Sequence, residues 1–251
     1  YGPNGIELME NGESAEEVLK KLTDQDEGKD FRQAAMLDVN GSVSAFTGEK
    51  CIESAGHFVG ENFSVQANMM LNDKVIPAMK KAFQDNSSLP LAERIIKVFE
   101  AAESVGGDIR GKQSAALIVV GAEKTSNVWE DKKIDLRVDD NSNPIKEIKR
   151  LLKVHRAYEH MNRGDLAIEE NDMDKALSEY GKAQVLFPEN HEMSFWKAIA
   201  LLNNGKKDAA KPILKRVFKE NSNWKKLIYR LPKSGLILMK TKELDSYLNN
   251  L

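Results

Sequence analysis

Hydrophobic and polar positions along this 251-residue chain change their period once, near residue 140. Before that point short apolar runs and alternating stretches are interleaved with helical spacing; after it the spacing is helical throughout. Ser14-Ala15-Glu16-Glu17 opens a helix running to about Leu22, because a serine hydroxyl and a glutamate three residues on satisfy each other's free amides. The opening Gly2-Pro3-Asn4-Gly5 reads as a turn, and residues 24–30 as a loop. Residues 33–39 and 42–46 predict two strands joined by a two-residue turn at Asn40-Gly41, where positive φ is tolerated. Residues 63–69 predict a further extended segment and residues 75–83 a helix. Another helix follows Pro90, with Ile95, Ile96, Val98 and Phe99 on its apolar side and Gly106-Gly107 as its stop. Residues 114–120, small and β-branched, predict a strand buried on both faces. Ile134, Leu136 and Val138 alternate with Asp135 and Arg137, the pattern of a half-buried strand.

Beyond Asp140, Asn141 or Ser142 can cap a helix with Pro144 in its first turn. An offset of 34 residues pairs Gly164 with Ala198, Ala176 with Ala210, Tyr180 with Leu214 and Ala183 with Val217. Small residues at facing positions let antiparallel helices approach closely, and the large one fills the groove to the next pair. With Pro188 closing the first unit, this resembles the tetratricopeptide repeat. The second unit, residues 191–223, is degenerate, and the helix from Ile145 and the segment 224–251 serve as caps. The expected division is an α/β domain over residues 1–140 and a helical repeat domain over residues 141–251. Such a back domain binds a peptide or protein partner, or packs against its own neighbour.

Composition narrows the class. An apolar fraction of 41% with 30% charged residues is that of a globular protein, and net charge −2 argues against nucleic acid as partner. One cysteine, Cys51, excludes an internal disulfide and leaves a bacterial cytoplasm or periplasm open. The charge is uneven: residues 1–31 carry nine acids against three lysines, whereas residues 206–242 carry twelve Lys or Arg against Asp208 and Glu220. The basic end suits either a solvated helix face or an acidic partner or anionic lipid.

Candidate chemistry gathers in a few places. Gly106-Gly107-Asp108-Ile109-Arg110-Gly111-Lys112-Gln113-Ser114 sets Asp, Arg, Gln and Ser on a glycine-rich loop, which suits a ligand site or a loop ion pair. It lacks the Gly-Lys-Ser/Thr of a phosphate-binding loop. Asp135, Arg137 and Asp139 share one strand face, with Asp140 at its edge; three carboxylates suit a hard cation, but the spacing is not that of an EF-hand and ion pairing with Arg137 is the commoner arrangement. Thr47, Cys51 and His57 lie close in sequence, and His57 is the candidate general base. Gln66 and Asn68, alternating on a strand, can hydrogen-bond an amide or carboxylate. No cofactor and no metal is expected.

Together, Gly5-Ile6-Glu7-Leu8, Phe31-Arg32-Gln33, Thr47-Gly48, Ala55-Gly56-His57, Gln66-Ala67-Asn68-Met69, the block from Gly106 to Ala116 and Asp135-Leu136-Arg137-Val138-Asp139-Asp140 resemble the bacterial and archaeal family of domain of unknown function 1028, from residue 1 to about 152. The resemblance implies an α+β, layered N-terminal-nucleophile hydrolase-like sandwich, incomplete here because the family's first strands precede Tyr1, followed by an all-α tetratricopeptide-like domain. It also implies amide-bond hydrolysis by an N-terminal Thr, Ser or Cys. Arg32, His57, Asp108, Arg110 and Ser114 are then expected near the reaction, and Gln66, Asn68, Arg137 and Asp139 around a small amide or peptide ligand. The alternative is a non-catalytic binding or scaffold protein, cell-wall associated as some relatives are suspected to be. A homo-oligomer is also compatible, another copy then supplying the missing strands.

Overall fold

A computed structural model describes residues 1–251, and the chain separates into two compact units, Tyr1–Lys149 and Arg150–Leu251. The first is mixed α+β. It opens with helices α1 (Gly2–Glu10) and α2 (Ala15–Asp24). The turn expected at Gly2–Gly5 is corrected: Pro3 sits in the first turn of α1, where its fixed φ suits a helix and its missing N–H is no loss. Gly5 faces the core, and a Cβ there would meet Met36 Cε at 2.7 Å. The capping box forms as expected, with Ser14 Oγ accepting from Glu17 N at 3.3 Å and Glu17 Oε2 accepting from Ser14 N at 2.9 Å.

Strands β1 (Gln33–Leu37) and β2 (Val43–Thr47) pair antiparallel. Their connection is longer than the expected two-residue turn, because Leu37 is opposite Val43 and Asp38 donates its N–H to Ser42 O. Gly41 takes φ 84 while Asn40 stays out of the left-handed region, and Asp38 Oδ1 accepts from the amides of Asn40 and Ser42. The aspartate side chain thus builds the turn that Asn-Gly was expected to make alone. β3 (Gly56–Gly60) and β4 (Phe63–Ala67) form a second hairpin, tight at Glu61-Asn62 with Asn62 at φ 60. β3 was not expected; its short, glycine-bounded sequence carries little strand signal.

Helices α3 (Val75–Asp85) and α4 (Leu91–Ser104) follow, packed on each other. Gly106 and Gly107, at φ 123 and 60, end α4. β5 (Ala115–Val120) and β6 (Lys132–Val138) make a third antiparallel pair, with the short α5 (Val128–Asp131) between them. The expectation that the strand is buried on both faces is overturned: Leu117 is buried, whereas Ile118 and Val120 are exposed. One face of β5, carrying Leu117, packs inward, whereas the face carrying Ile118 and Val120 is turned to solvent. β6 alternates as expected, with Ile134 and Val138 buried. Each of the three sheets is two-stranded. One core joins Ala15, Val18, Leu19 and Met36; Val65, Val75, Ile96, Leu117 and Ile134 are also buried.

The remainder is helical: α6 (Pro144–Glu169), α7 (Met173–Leu186), α8 (His191–Asn203), α9 (Lys207–Glu220), α10 (Asn223–Ile228), α11 (Leu231–Ser234) and α12 (Thr241–Asn249). Asn143, rather than Asn141 or Ser142, faces the first turn of α6, its Oδ1 accepting from Lys146 N at 3.4 Å. The positions paired at an offset of 34 residues are buried: Ala176, Ala183, Ala198, Ala210, Leu214 and Val217 are fully so, and Tyr180 is 4% exposed.

Candidate functional site

The polar residues of the first unit converge where the end of β4 meets the loop after α4. That loop is held by backbone pairing: Leu71 N donates to Gly107 O at 2.8 Å and Ile109 N to Met69 O at 3.1 Å. Asn72 Nδ2 ties the same loop down at Val105 O, 2.8 Å away. A glycine is needed at 106, where φ is positive and a Cβ would meet Leu71 Cδ2 at 2.8 Å. Met69 adopts φ 65, a conformation that costs a bulky residue energy and persists only where its surroundings impose it.

Between these segments lies a cleft of about 740 Å³. Val75 and Met79 of α3 and Phe99 of α4 give it an apolar wall; Gln33, Gln66, Asn68, Gln113 and Ser114 give it hydrogen-bonding groups; Glu103, Asp108, Arg110, Lys112 and Asp140 give it charge. Arg110 grips Asp108 with two parallel bonds, Nε to Oδ1 at 2.9 Å and Nη2 to Oδ2 at 2.6 Å. That fork, with the Arg110 amide also donating to Oδ1, holds the Asp108 carboxyl below its usual range. Lys112 pairs with Glu103 at 2.8 Å. Gln66 donates to Ser64 Oγ at 2.6 Å. Asn68 Oδ1 is shielded from solvent and has no hydrogen-bond partner. An acceptor removed from water and left unpaired costs about 1–3 kcal/mol, and Asn68, a residue of the cleft lining, carries that cost.

Of the nine residues expected near the reaction or around the ligand, Gln66, Asn68, Asp108, Arg110 and Ser114 line this one cleft. The others lie elsewhere. His57 is on β3, in a separate recess of about 470 Å³ with Thr47 and Cys51. Its Nδ1 is 2.8 Å from Thr47 Oγ1, which also accepts from Gln33 Nε2 at 3.0 Å. The Thr47 hydroxyl, with one proton and two acceptor lone pairs, donates to Nδ1 or accepts from it according to the His57 tautomer. Cys51 Sγ points to Arg32 O at 3.4 Å rather than to the imidazole. Arg32 binds Asp26, Nε to Oδ2 at 3.3 Å, and Asp26 also accepts the Tyr1 hydroxyl at 2.6 Å. Burial and that bond push the Tyr1 hydroxyl up to about 12. Arg137 pairs with Asp135 on the exposed face of β6, Nε to Oδ1 at 3.0 Å, and Asp139 is exposed beyond the strand. No group of three or more His, Cys, Asp or Glu side chains is arranged to hold a metal ion.

Sequence reasoning missed Gln33 as a structural group. Its Nε2 also reaches Gly56 O at 3.1 Å and Ala67 O at 3.0 Å, so one amide joins both hairpins and lines the cleft. A glutamine starting a strand otherwise made of Ala, Met and Leu was the available signal.

Comparison with known proteins agrees over the first unit. A search of curated proteins gives no significant match. A crystal structure of a protein from Silicibacter pomeroyi, itself matched to DUF1028, resembles the chain with TM-score 0.53 and 27% identity, covering 61% of this chain and 64% of that one. The chain thus spans less than two thirds of that protein's length. The family model described as "Family of unknown function (DUF1028)" matches residues 1–148. Over that first unit, with its three hairpin sheets and its polar cleft, the chain belongs to the DUF1028 family.

Proposed function

We propose that the cleft between β4 and the loop after α4 binds a small amide or peptide ligand, in an N-terminal-nucleophile-type amide-bond hydrolase. The observation that carries this reading is Asn68 Oδ1, unpaired and shielded beside Gln66, Gln113 and the Asp108–Arg110 fork. An amide ligand supplies the missing N–H to Asn68 and carbonyls to the glutamine amides, and its charged ends meet the Arg110 and Asp140 side of the cleft. The hydrolytic part rests on the family resemblance. Ser114 lines the cleft without a histidine beside it, and His57 is held by Thr47 in another recess. Within this chain the cleft residues are therefore read as binding and positioning groups.

The test is a calorimetric and amine-release screen of the full-length protein against N-acyl amino acids, amino-acid amides and short peptides. The reading expects at least one binder whose affinity falls about tenfold or more in Asn68→Ala and in Asp108→Ala, a loss of the size that one buried hydrogen bond to a charged or shielded group supports. No binding and no amine release across the screen, or unchanged affinity in both variants, overturns it.

The rival reading is a non-catalytic scaffold whose helical unit recruits a peptide or protein, cell-wall associated in one version. It is supported by the burial of every position in the 34-residue pairing, with Gly164 against the Tyr180 ring, as a tetratricopeptide-like array requires. Capture of a peptide by the full-length protein that is lost in surface variants of α6 and α8, with the cleft variants unaffected, favours this reading over the first.

A further inference from the structure

The segment between α11 and α12 holds two leucines outward. After Gly235, at φ 71, burial alternates: Ile237 and Met239 are 3% and 7% exposed, whereas Leu236 and Leu238 are 51% and 74% exposed. Alternation is what an extended segment imposes on successive side chains. Asn203, at the end of α8, clamps the segment by its amide, donating from Nδ2 to Leu236 O at 3.1 Å and accepting from Leu238 N at Oδ1 at 2.9 Å. The leucines are therefore presented by a fixed backbone.

Unneutralised positive charge surrounds them. Lys233 lies in the last turn of α11, Lys240 precedes α12 and Lys242 lies in its first turn. Across residues 206–242 there are twelve Lys or Arg and two acids, and Lys207, paired with Glu243 at 2.7 Å, is the one base among them that a carboxylate neutralises. Lys240 and Lys242, like Lys206 and Lys207 at the start of α9, sit at helix N-termini, where the helix dipole disfavours a cation. Their placement works against the stability of the helices and suits an external anion. Asp165 and Glu169 line a recess with Leu236, Trp196 and Ile199, and Asp165 already accepts the Tyr180 hydroxyl at 2.6 Å.

We propose that Leu236 and Leu238, flanked by Lys233, Lys240 and Lys242, form a docking surface for an anionic lipid bilayer, the leucines entering the interface and the lysines meeting the headgroups. A projecting apolar pair on an extended backbone needs a soft apolar medium to receive it, and a bilayer surface supplies that without a shaped complement. Each lysine close to an anionic surface adds attraction that falls away within a Debye length, which makes attachment sensitive to salt.

Flotation of the full-length protein with vesicles tests this. Phosphatidylcholine vesicles containing about 30 mol% phosphatidylserine should carry the protein at low salt, pure phosphatidylcholine vesicles should not, and about 0.5 M salt should release it. Leu236→Ser/Leu238→Ser, with an unchanged circular dichroism spectrum, should lower binding about tenfold, and Lys233→Glu/Lys240→Glu/Lys242→Glu should abolish it. Should the double serine variant misfold, Leu238→Trp gives a second reading: the indole emission it adds should shift to the blue when anionic vesicles are supplied. Absence of vesicle binding, binding unaffected by loss of the leucines, or equally tight capture of soluble polyglutamate, which would indicate an acidic protein partner, overturns the proposal. So does an added indole emission, in Leu238→Trp, that vesicles leave unchanged.

Discussion

Gly164 lies so close to Tyr180 that a Cβ on the glycine would meet the ring Cδ1 at 2.7 Å. The ring is 4% exposed and its hydroxyl donates to Asp165 Oδ1 at 2.6 Å, so it has little room to yield. At an offset of 34 residues, Ala198 and Leu214 take the same two places, both fully buried. A larger small residue is matched there by a narrower large one.

Gly164→Ala should destabilise the protein by about 1–3 kcal/mol, because overpacking against the ring outweighs the roughly 1 kcal/mol that alanine gains in a helix. Gly164→Ala/Tyr180→Leu, which copies the Ala198–Leu214 pair, should recover part of the loss. Urea denaturation followed by circular dichroism measures both. A neutral or stabilising Gly164→Ala would show that the contact does not limit packing.

Gln33 joins the two hairpins through one nitrogen. Gln33→Leu removes bonds to Thr47, Gly56 and Ala67, and a cost of about 1–3 kcal/mol is expected for two to three part-buried hydrogen bonds. The same substitution removes a donor from the Thr47 hydroxyl that His57 Nδ1 also contacts, so the balance of His57 tautomers should shift. Nitrogen chemical shifts of the His57 imidazole in Gln33→Leu and Thr47→Val check this; shifts identical to the parent in both would refute the relay.

Glu179, 8% exposed on α7, accepts from Lys182 at 2.5 Å, His160 at 2.6 Å and Arg163 at 3.0 Å. These bonds, Lys182 foremost, hold its carboxyl down to about 2. A carboxyl held below its unfolded value stabilises the fold above about pH 4.5, and that stabilisation disappears as pH falls towards about 2. Glu179→Gln should cost about 1–3 kcal/mol at pH 7 and flatten the acid limb of the stability profile between about pH 5 and 2. A parallel acid limb in parent and variant would contradict it.

Asn68 trades stability for an available bond. Asn68→Ala removes an unpaired shielded acceptor, so the melting temperature should stay level or rise while ligand binding falls. A marked drop in melting temperature would mean that Asn68 is a structural group and not a vacant one.

The sequence alone determined much of the local structure. Ser14 and Glu17 specify a helix start through bonds that span three residues. Gly106 and Gly107 specify a helix stop through their own backbone freedom, and Ile134, Leu136 and Val138 specify a strand face by alternation. The 34-residue spacing of Gly164, Ala176, Tyr180 and Ala183 onto Ala198, Ala210, Leu214 and Val217 marked positions that are buried, because small and apolar residues at helical spacing line the face a helix turns inward. Family membership was legible too, in blocks of residues that stand close together.

Tertiary structure decided what depends on distant partners. Asp38 reshaped the hairpin turn through its side chain, and β5 exposes Ile118 because packing covers the opposite face, that of Leu117. The cleft exists because residues 69–71 pair with residues 107–109, which brings Asn68 to Asp108 and leaves His57 and Arg137 outside. A residue's type and spacing set what bonds it can make. Which of them it makes, and which, like Asn68 Oδ1, it leaves open, depends on segments tens of residues away that the local pattern does not encode.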